Sequence, residues 1–196
     1  MKAVTRTICF GVGLMAFATP ASADQAKCES DARAAMTEVF HPVAMRQNVQ
    51  MVMGNNTTRN TVISTPDKRG LTMNEQGVPV SLFNDGKFYT TSDGGKNWKL
   101  MSESTPEQQR AYLDGLAKQA LEATNIECAY GVDLDGKTVD RFSMDYALYP
   151  SGMKMKGTYW RDAQNGFPWR IETVSPHNTI IQDNEPAPNA VVEVPD

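Results

Sequence analysis

Residues 129–174 read AYGVDLDGKTVDRFSMDYALYPSGMKMKGTYWRDAQNGFPWRIETV, and this stretch decides the fold. Three dipeptides, Asp135-Gly136, Ser151-Gly152 and Asn165-Gly166, separate runs rich in β-branched and aromatic residues. Such dipeptides supply the positive φ angles that tight hairpin turns require. The stretch therefore predicts four consecutive antiparallel strands, and no catalytic or metal-binding motif interrupts them.

The first 23 residues have the pattern of a signal peptide. Lys2 and Arg6 precede an apolar run from Ile8 to Ala18, and Ala21-Ser22-Ala23 matches an A-x-A cleavage site. The apolar run is too short to span a bilayer, so an uncleaved membrane anchor is the weaker interpretation. Asp24 stands where a lipoprotein would carry its acylated cysteine. We expect cleavage after Ala23, export to the periplasm and no stable membrane anchor.

The expected mature chain, 24–196, has 173 residues, which suits a single domain. Loss of Lys2 and Arg6 leaves 17 basic against 23 acidic residues, a net charge of −6. No basic patch stands out along the sequence. The composition therefore argues against nucleic acid or an anionic membrane surface as a partner.

Two cysteines, Cys28 and Cys128, remain after Cys9 leaves with the signal peptide. An even pair in an exported chain predicts one disulfide. A redox-active pair is the alternative, but the two cysteines lack the C-x-x-C spacing of such sites.

Two helices and several strands are predicted upstream of residue 129. Apolar residues recur at helical spacing over Asp24–Phe40, whereas the period changes to two between residues 48 and 101. Thr105 and Gln108 form a T-x-x-Q capping box around Pro106, which predicts the start of a second helix. The apolar stripe of that helix comprises Tyr112, Leu113, Leu116, Ala117, Ala120 and Leu121.

The order of elements is helix, strands, helix, strands, followed by a tail. This order predicts one α+β domain over residues 24–181, in which an antiparallel sheet carries both helices on one face. Residues 182–196 contain three prolines, acidic residues and few large apolar groups. We expect this tail to be disordered.

Several turn motifs resemble those of a known superfamily. They are Asp85-Gly86-Lys87-Phe88-Tyr89, Asp93-Gly94-Gly95-Lys96-Asn97-Trp98, Asp135-Gly136-Lys137-Thr138, and Asp162 followed by Asn165-Gly166-Phe167-Pro168 and Arg170. In this order the motifs are similar to those of LolA-type carriers, and more closely of LppX/LprG-type lipid carriers of bacterial envelopes. The resemblance implies a strongly curved antiparallel half-barrel covered by two helices, with an apolar cavity for acyl chains.

Thr91-x-Asp93-x-Gly95-x-Asn97-Trp98 also fits the Asp-box pattern of propeller blades. A single copy cannot build a propeller, which needs several blades. We therefore interpret it as a hairpin turn in which Asp93 accepts backbone N–H groups and Trp98 packs behind it.

Methionine pairs at strand spacing, Met51 with Met53 and Met153 with Met155, have three interpretations. They could belong to the ordinary core, line a pocket for variable apolar ligands, or bind Cu(I) through soft thioethers. The two histidines, His41 and His177, stand apart from any H-x-M or H-x-H cluster. No metal and no cofactor is therefore predicted.

The leading hypothesis is an exported, non-catalytic protein that binds a lipid or acyl chain in the half-barrel. No nucleophile with a partner base and no known catalytic motif occurs in the sequence. The alternatives are an envelope protein-interaction or stress-sensor module on the same fold, as in RseB-like relatives, and Met-based copper binding. The candidate ligand-binding residues are Met51, Met53, Val80, Leu82, Leu116, Leu121, Met153 and Met155.

Overall fold

The computed structural model describes residues 21–38 and 41–195, so most of the predicted signal peptide lies outside it. Two helices and eleven strands follow one another along this part of the chain. Their bounds are α1 Ala21–Thr37, β1 Met45–Met53, β2 Asn56–Thr65, β3 Arg69–Asn74, β4 Pro79–Asn84, β5 Lys87–Thr90, β6 Lys99–Glu103, α2 Pro106–Leu121, β7 Thr124–Leu134, β8 Lys137–Leu148, β9 Met153–Asp162, β10 Pro168–Val174 and β11 Thr179–Pro186. None of the helices in these ranges is long and apolar enough to cross a membrane.

All eleven strands form one antiparallel sheet in the order β6-β5-β4-β3-β2-β1-β11-β10-β9-β8-β7. The sheet is strongly curved into a half-barrel and does not close. Its edge strands β6 and β7 both contain register shifts, at Phe88/Tyr89 for the β5–β6 pair and at Ala129/Val132 for the β7–β8 pair. Such bulges discourage further strands from pairing with an open edge. The α+β class and the curved sheet predicted from the sequence are confirmed.

Both helices pack on one face, which we call the inner face. Phe142 of β8, Tyr159 of β9 and Ile171 of β10 are neighbours in register on this face. They meet the buried apolar stripe of α1, and Ala120 of α2 joins the same cluster. Since side chains alternate along a strand, this register assigns every paired residue to the inner face or to the opposite, outer face.

Helix α1 is held in place at several points. Its predicted stripe is buried at Cys28, Ala32, Ala35 and Met36, whereas the predicted members Val39 and Phe40 lie outside the described residues. Cys28 is bonded to Cys128 on β7, which confirms the predicted disulfide. The helix ends at Thr37 and not at Phe40.

Helix α2 begins as its sequence predicts. Thr105 accepts a bond from the Gln108 backbone N–H, and the Gln108 side chain accepts one from the Thr105 N–H. The predicted apolar stripe is only partly covered, because Ala120 is buried and Leu116 half-buried while Tyr112, Leu113, Ala117 and Leu121 remain exposed. Both helices lie on one face of the sheet as predicted, but only the C-terminal part of the α2 stripe is covered.

The Asp-box motif forms the turn between β5 and β6. The Asp93 carboxylate accepts bonds from the backbone N–H groups of Lys96 (3.1 Å) and Asn97 (3.0 Å). A further bond from the Asn97 side-chain amide, at 2.7 Å, contributes most to lowering the pKa of Asp93 to about 2. The interpretation as a hairpin turn is confirmed.

The C-terminal segment is more ordered than its composition suggests. β11 continues to Pro186, beyond the predicted boundary at residue 181, because it pairs with β1 on one side and β10 on the other. Beyond it, Val192 is 1% exposed and its carbonyl accepts a bond from Arg69 at 3.2 Å. The expectation of disorder from residue 182 onward thus differs from the structure, since strand pairing satisfies backbone groups whatever the side chains are.

Candidate ligand-binding groove

Helix α2 crosses the open side of the half-barrel. At its first turns, Gln109 lies so close to Gly86 in the β4–β5 turn that a Cβ at Gly86 would overlap its amide. Further along, the ring of Tyr149 in the β8–β9 turn lies 3.4 Å from where a Cβ of Gly115 would stand. A 16-residue helix is about 24 Å long, so α2 links the two wings of the sheet.

Beyond the contact of Gln109 with Gly86, the first half of α2 is largely exposed. Tyr112 precedes Gly115 by three residues and Leu116 by four, so it lies on the stripe of the helix that turns toward the sheet. Gly115 and Ala120 on this stripe are buried, yet Tyr112 is 59% exposed. The sheet-facing stripe of α2 is therefore uncovered at Tyr112, between the Gln109–Gly86 contact and the buried Gly115.

Part of the inner face is also apolar and uncovered. Phe83 of β4 and Phe88 of β5 are paired in register and are 38% and 39% exposed. Met53 is also exposed, but at the other end of β1, eight residues beyond Met45, whose row contains Phe83. We call the space between the first half of α2 and the inner face of β1–β5 the groove.

The part of the inner face below the helices contains two tyrosines, Tyr159, which is buried, and Tyr146, which is half-buried. Tyr146 and Tyr159 share a hydrogen bond, and Tyr146 also bonds to Thr173. Burial is the largest cause that raises the pKa of both hydroxyls above the ordinary value of tyrosine. Both rings stand over Gly157, where a Cβ would lie 2.9 Å from a ring carbon of Tyr159. Helices and tyrosines therefore fill this half of the interior.

Two small cavities lie between this filled half and the groove. One, of about 170 Å³, is lined by Met45, Gln47 and Phe83 among others, and the other, of about 60 Å³, extends toward Tyr159. His41 lines both, stacks edge-on against Phe167 at 5.2 Å and accepts a bond from the Val43 N–H. Both volumes are below the roughly 300–1,000 Å³ of small-molecule pockets. A larger ligand would need the groove or one of the more open clefts elsewhere, of about 440, 520 and 700 Å³, the second of which is lined by Tyr146 and Met155 among others.

The structure divides the eight predicted ligand-binding residues. Met51, Met53, Met153 and Met155 lie on the inner face, where Met51 shares a row with Ile180 and Met155 pairs with Tyr146. Leu82 lies on the outer face and is fully buried, and Val80 is the extra residue of a bulge in β4. Both leucines belong to α2: Leu116 is half-buried, whereas Leu121 is 72% exposed. A binding role for any of the eight stays a prediction.

The two methionine pairs are far apart. Two strands, β11 and β10, separate β1 from β9, so Met51 and Met155 are about 14 Å apart along the sheet at about 4.8 Å per strand. The four thioethers therefore do not converge on one Cu(I). Within residues 21–38 and 41–195, no group of three His, Cys, Asp or Glu side chains could hold a metal ion.

Phe83 and Phe88 are not among the eight predicted residues, although the sequence contains a pattern that pairs them. A two-residue Asp85-Gly86 turn sets the register of its hairpin, which places Phe83 opposite Phe88. Tyr112 and Leu113 were recognised as part of an apolar stripe, but their exposure depends on where α2 crosses the sheet.

No family model and no curated protein matches this sequence. Solved structures do match it. The lipoprotein LppX of Mycobacterium tuberculosis superposes with a TM-score of 0.56 at 12% identity, over 86% of this chain and 98% of LppX. LprF from Mycobacterium bovis superposes with a TM-score of 0.51 at 13% identity, over 89% of this chain and 97% of LprF. This chain therefore has the fold of LppX and LprF.

Proposed function

We propose that this protein is an exported, non-catalytic binding protein of the bacterial periplasm that takes up a hydrophobic ligand, a lipid or acyl chain, in the groove. The observation that carries the proposal is the exposure of three rings, Tyr112 on the sheet-facing stripe of α2 and the paired Phe83 and Phe88 on the inner face of the sheet. Apolar surface on both walls of one opening is unusual for a soluble domain unless a ligand or partner covers it.

The walls of the groove suit a ligand of variable shape. Met51 and Met53 lie on the inner face of β1, six and eight residues beyond Met45, which shares a row with Phe83, and methionine side chains adapt to irregular apolar surfaces. Few fixed polar contacts are offered there, which is typical of sites that bind acyl chains by burial of apolar area. The likeness in fold to a lipoprotein, LppX, is in keeping with a role in the envelope.

The second candidate function is an envelope protein-interaction or sensor module. The observation that favours it is the small volume of the two cavities on the inner face, about 170 and 60 Å³. A groove that opens to the side, with a filled interior behind it, could equally receive an apolar segment of a partner protein.

Binding of a fluorescent acyl probe distinguishes a lipid-binding protein from a protein-interaction module. We expect the purified protein to bind the probe at micromolar concentration and to carry lipid after extraction from cells, as seen by native mass spectrometry. Tyr112→Glu should weaken binding at least tenfold, about 1.4 kcal/mol, because it places a charge on the apolar wall. Tyr112 is exposed, so this variant should fold.

Ala117→Glu is the matched control. It adds the same charge to the same helix at an exposed residue about 140° around the helix from Tyr112. Binding should not change. Bare protein in the mass spectrum together with no probe binding would contradict ligand binding and leave the interaction module. Equal losses in both variants would place the ligand elsewhere than in the groove.

A further inference from the structure

We propose that the cavity of about 170 Å³ beside Phe83 binds the anionic head group of an amphiphile, a carboxylate or a phosphate, whose acyl chain lies in the groove. This inference rests on the proposed function and adds the class of ligand. It follows from the charges that line the cavity and from its position next to the exposed phenylalanine rings.

The cavity lies where one position in a row of the inner face has no side chain. Neighbours in register on β1 to β4 all line it, and they are Met45, Ser64, Gly70 and Phe83. Gly70 leaves a gap between Ser64 and Phe83, since even an added Cβ would lie 3.9 Å from its nearest neighbours. Phe88 continues the same row beyond Phe83. A head group in the cavity therefore has an apolar wall directly beside it.

The charges that line this cavity have one sign. Lys68 lies in the β2–β3 turn and Arg69 begins β3, and within the described part of the chain no aspartate or glutamate lines the cavity. Lys68 pairs with Asp85 at 3.8 Å and Arg69 with Asp67 at 3.0 Å, but all four side chains are at least 38% exposed. Exposed ion pairs contribute only about 0–1 kcal/mol, so an anion can compete for both cations.

Uncharged donors complete the lining. Ser64 is half-buried, and its hydroxyl has no hydrogen-bond partner within residues 21–38 and 41–195. The Nδ1 atom of His41 accepts a bond from the Val43 N–H at 3.2 Å, so the neutral ring carries its proton on Nε2 and can donate it. Arg69 uses one of the five N–H donors of a guanidinium for the Val192 carbonyl, at 3.2 Å. The cavity therefore offers several donors to the oxygens of an anion.

Size and charge together indicate the class of ligand. A cavity of about 170 Å³ holds a carboxylate or a phosphate but is smaller than the roughly 300 Å³ at which pockets for whole small molecules begin. A quaternary ammonium group would face Lys68 and Arg69, while Glu38, in the smaller cavity next to it, is already paired with Arg161. A sugar would gain hydrogen bonds, but bonds between charged partners are roughly twice as strong. The cavity therefore favours an anionic head group over a neutral or cationic one.

The test compares amphiphiles with chains of equal length below their micellar concentrations. Dodecanoate, dodecyl phosphate, dodecyl maltoside and dodecyltrimethylammonium compete with the fluorescent acyl probe for the full mature chain. We expect at least one of the two anions to bind at least tenfold more tightly than the other two amphiphiles, and the tighter anion identifies a carboxylate or a phosphate head group. Equal affinities, or tighter binding of the maltoside or the ammonium, would overturn the inference while leaving the groove in place. Failure of all four and of the probe would refute the proposed function as well.

Variants of two lysines locate the anion. Lys68→Gln should weaken binding of the preferred anion at least fivefold and leave dodecyl maltoside unchanged, and Lys68 is exposed, so this variant should fold. Lys87→Gln is the matched control, because Lys87 also forms an exposed ion pair, with Glu103 at 3.7 Å, but on the outer face. No loss with Lys68→Gln, or equal losses in the two variants, would overturn the inference.

Discussion

Gly157 is the position where packing on the inner face can be tested most directly. A Cβ added there would lie 2.9 Å from Cε2 of Tyr159, 3.1 Å from the hydroxyl of Tyr159 and 3.1 Å from Cε1 of Tyr146. Both rings are held by their mutual hydrogen bond and by burial below the helices. We therefore expect Gly157→Ala to force the tyrosine pair apart and to destabilise the fold.

The magnitude follows from a comparison with a second strand glycine. Gly70→Ala would place its Cβ 3.9 Å from the Ile63 carbonyl and from Cβ of Phe83, both ordinary contacts. Each substitution also gains about 0.5–1 kcal/mol because alanine loses less backbone entropy on folding than glycine. This gain cancels in the difference, which leaves the overpacking cost of about 1–3 kcal/mol at Gly157.

Thermal unfolding followed by circular dichroism measures this difference. For a domain of this size 1 kcal/mol shifts Tm by about 2–4 °C, so Gly157→Ala should unfold about 2–12 °C below Gly70→Ala. Gly70→Ala itself should unfold at or slightly above the temperature of the unmodified chain. Equal Tm values for the two variants would refute the placement of Tyr146 and Tyr159 over Gly157.

Three further predictions concern the parts of the chain that support the groove. Thr105→Ala removes the N-cap of α2 and should lower the free energy of unfolding by about 1 kcal/mol, measured by urea titration; no loss would contradict the capping box. Thiol titration of the denatured, unreduced protein should find neither Cys28 nor Cys128 free, and replacing both with serine should cost about 2–5 kcal/mol. Because the pKa of Asp93 is lowered to about 2, its contribution to stability is present above about pH 4, the ordinary aspartate pKa, and is lost as pH falls toward 2. A carboxyl NMR titration should show Asn97→Ala raising this pKa, and an unchanged value would contradict the turn geometry.

Much of the fold could be predicted because its signals are local. Dipeptides such as Asp135-Gly136 and Asn165-Gly166 specify where the chain reverses, since few residues other than glycine adopt positive φ without strain. The capping box at Thr105 specifies where α2 begins. Strand β11 is the exception. Its polar residues after Ile181 do not show the alternating pattern of a strand, and this segment is ordered because it pairs with β1 and β10.

The groove depended on information that is not local. Leu82 and Met51 both have the apolar character expected of a pocket, yet pairing in register places them on opposite faces. A shift of one residue reverses the face of a whole strand, so hydrophobicity alone cannot assign a side chain to the groove.

Sequence by itself determined the class of the fold, the disulfide, the turns and the apolar stripes of both helices, because these follow from residue type and spacing along a few turns or strands. Tertiary structure alone decided that α2 crosses the open side of the half-barrel with Tyr112 uncovered. It also decided that Phe83 and Phe88 lie side by side on the inner face whereas Leu82 lies on the outer face. Both results depend on how strands distant in sequence pair and curve, and the free energy of that assembly is not encoded in any one segment.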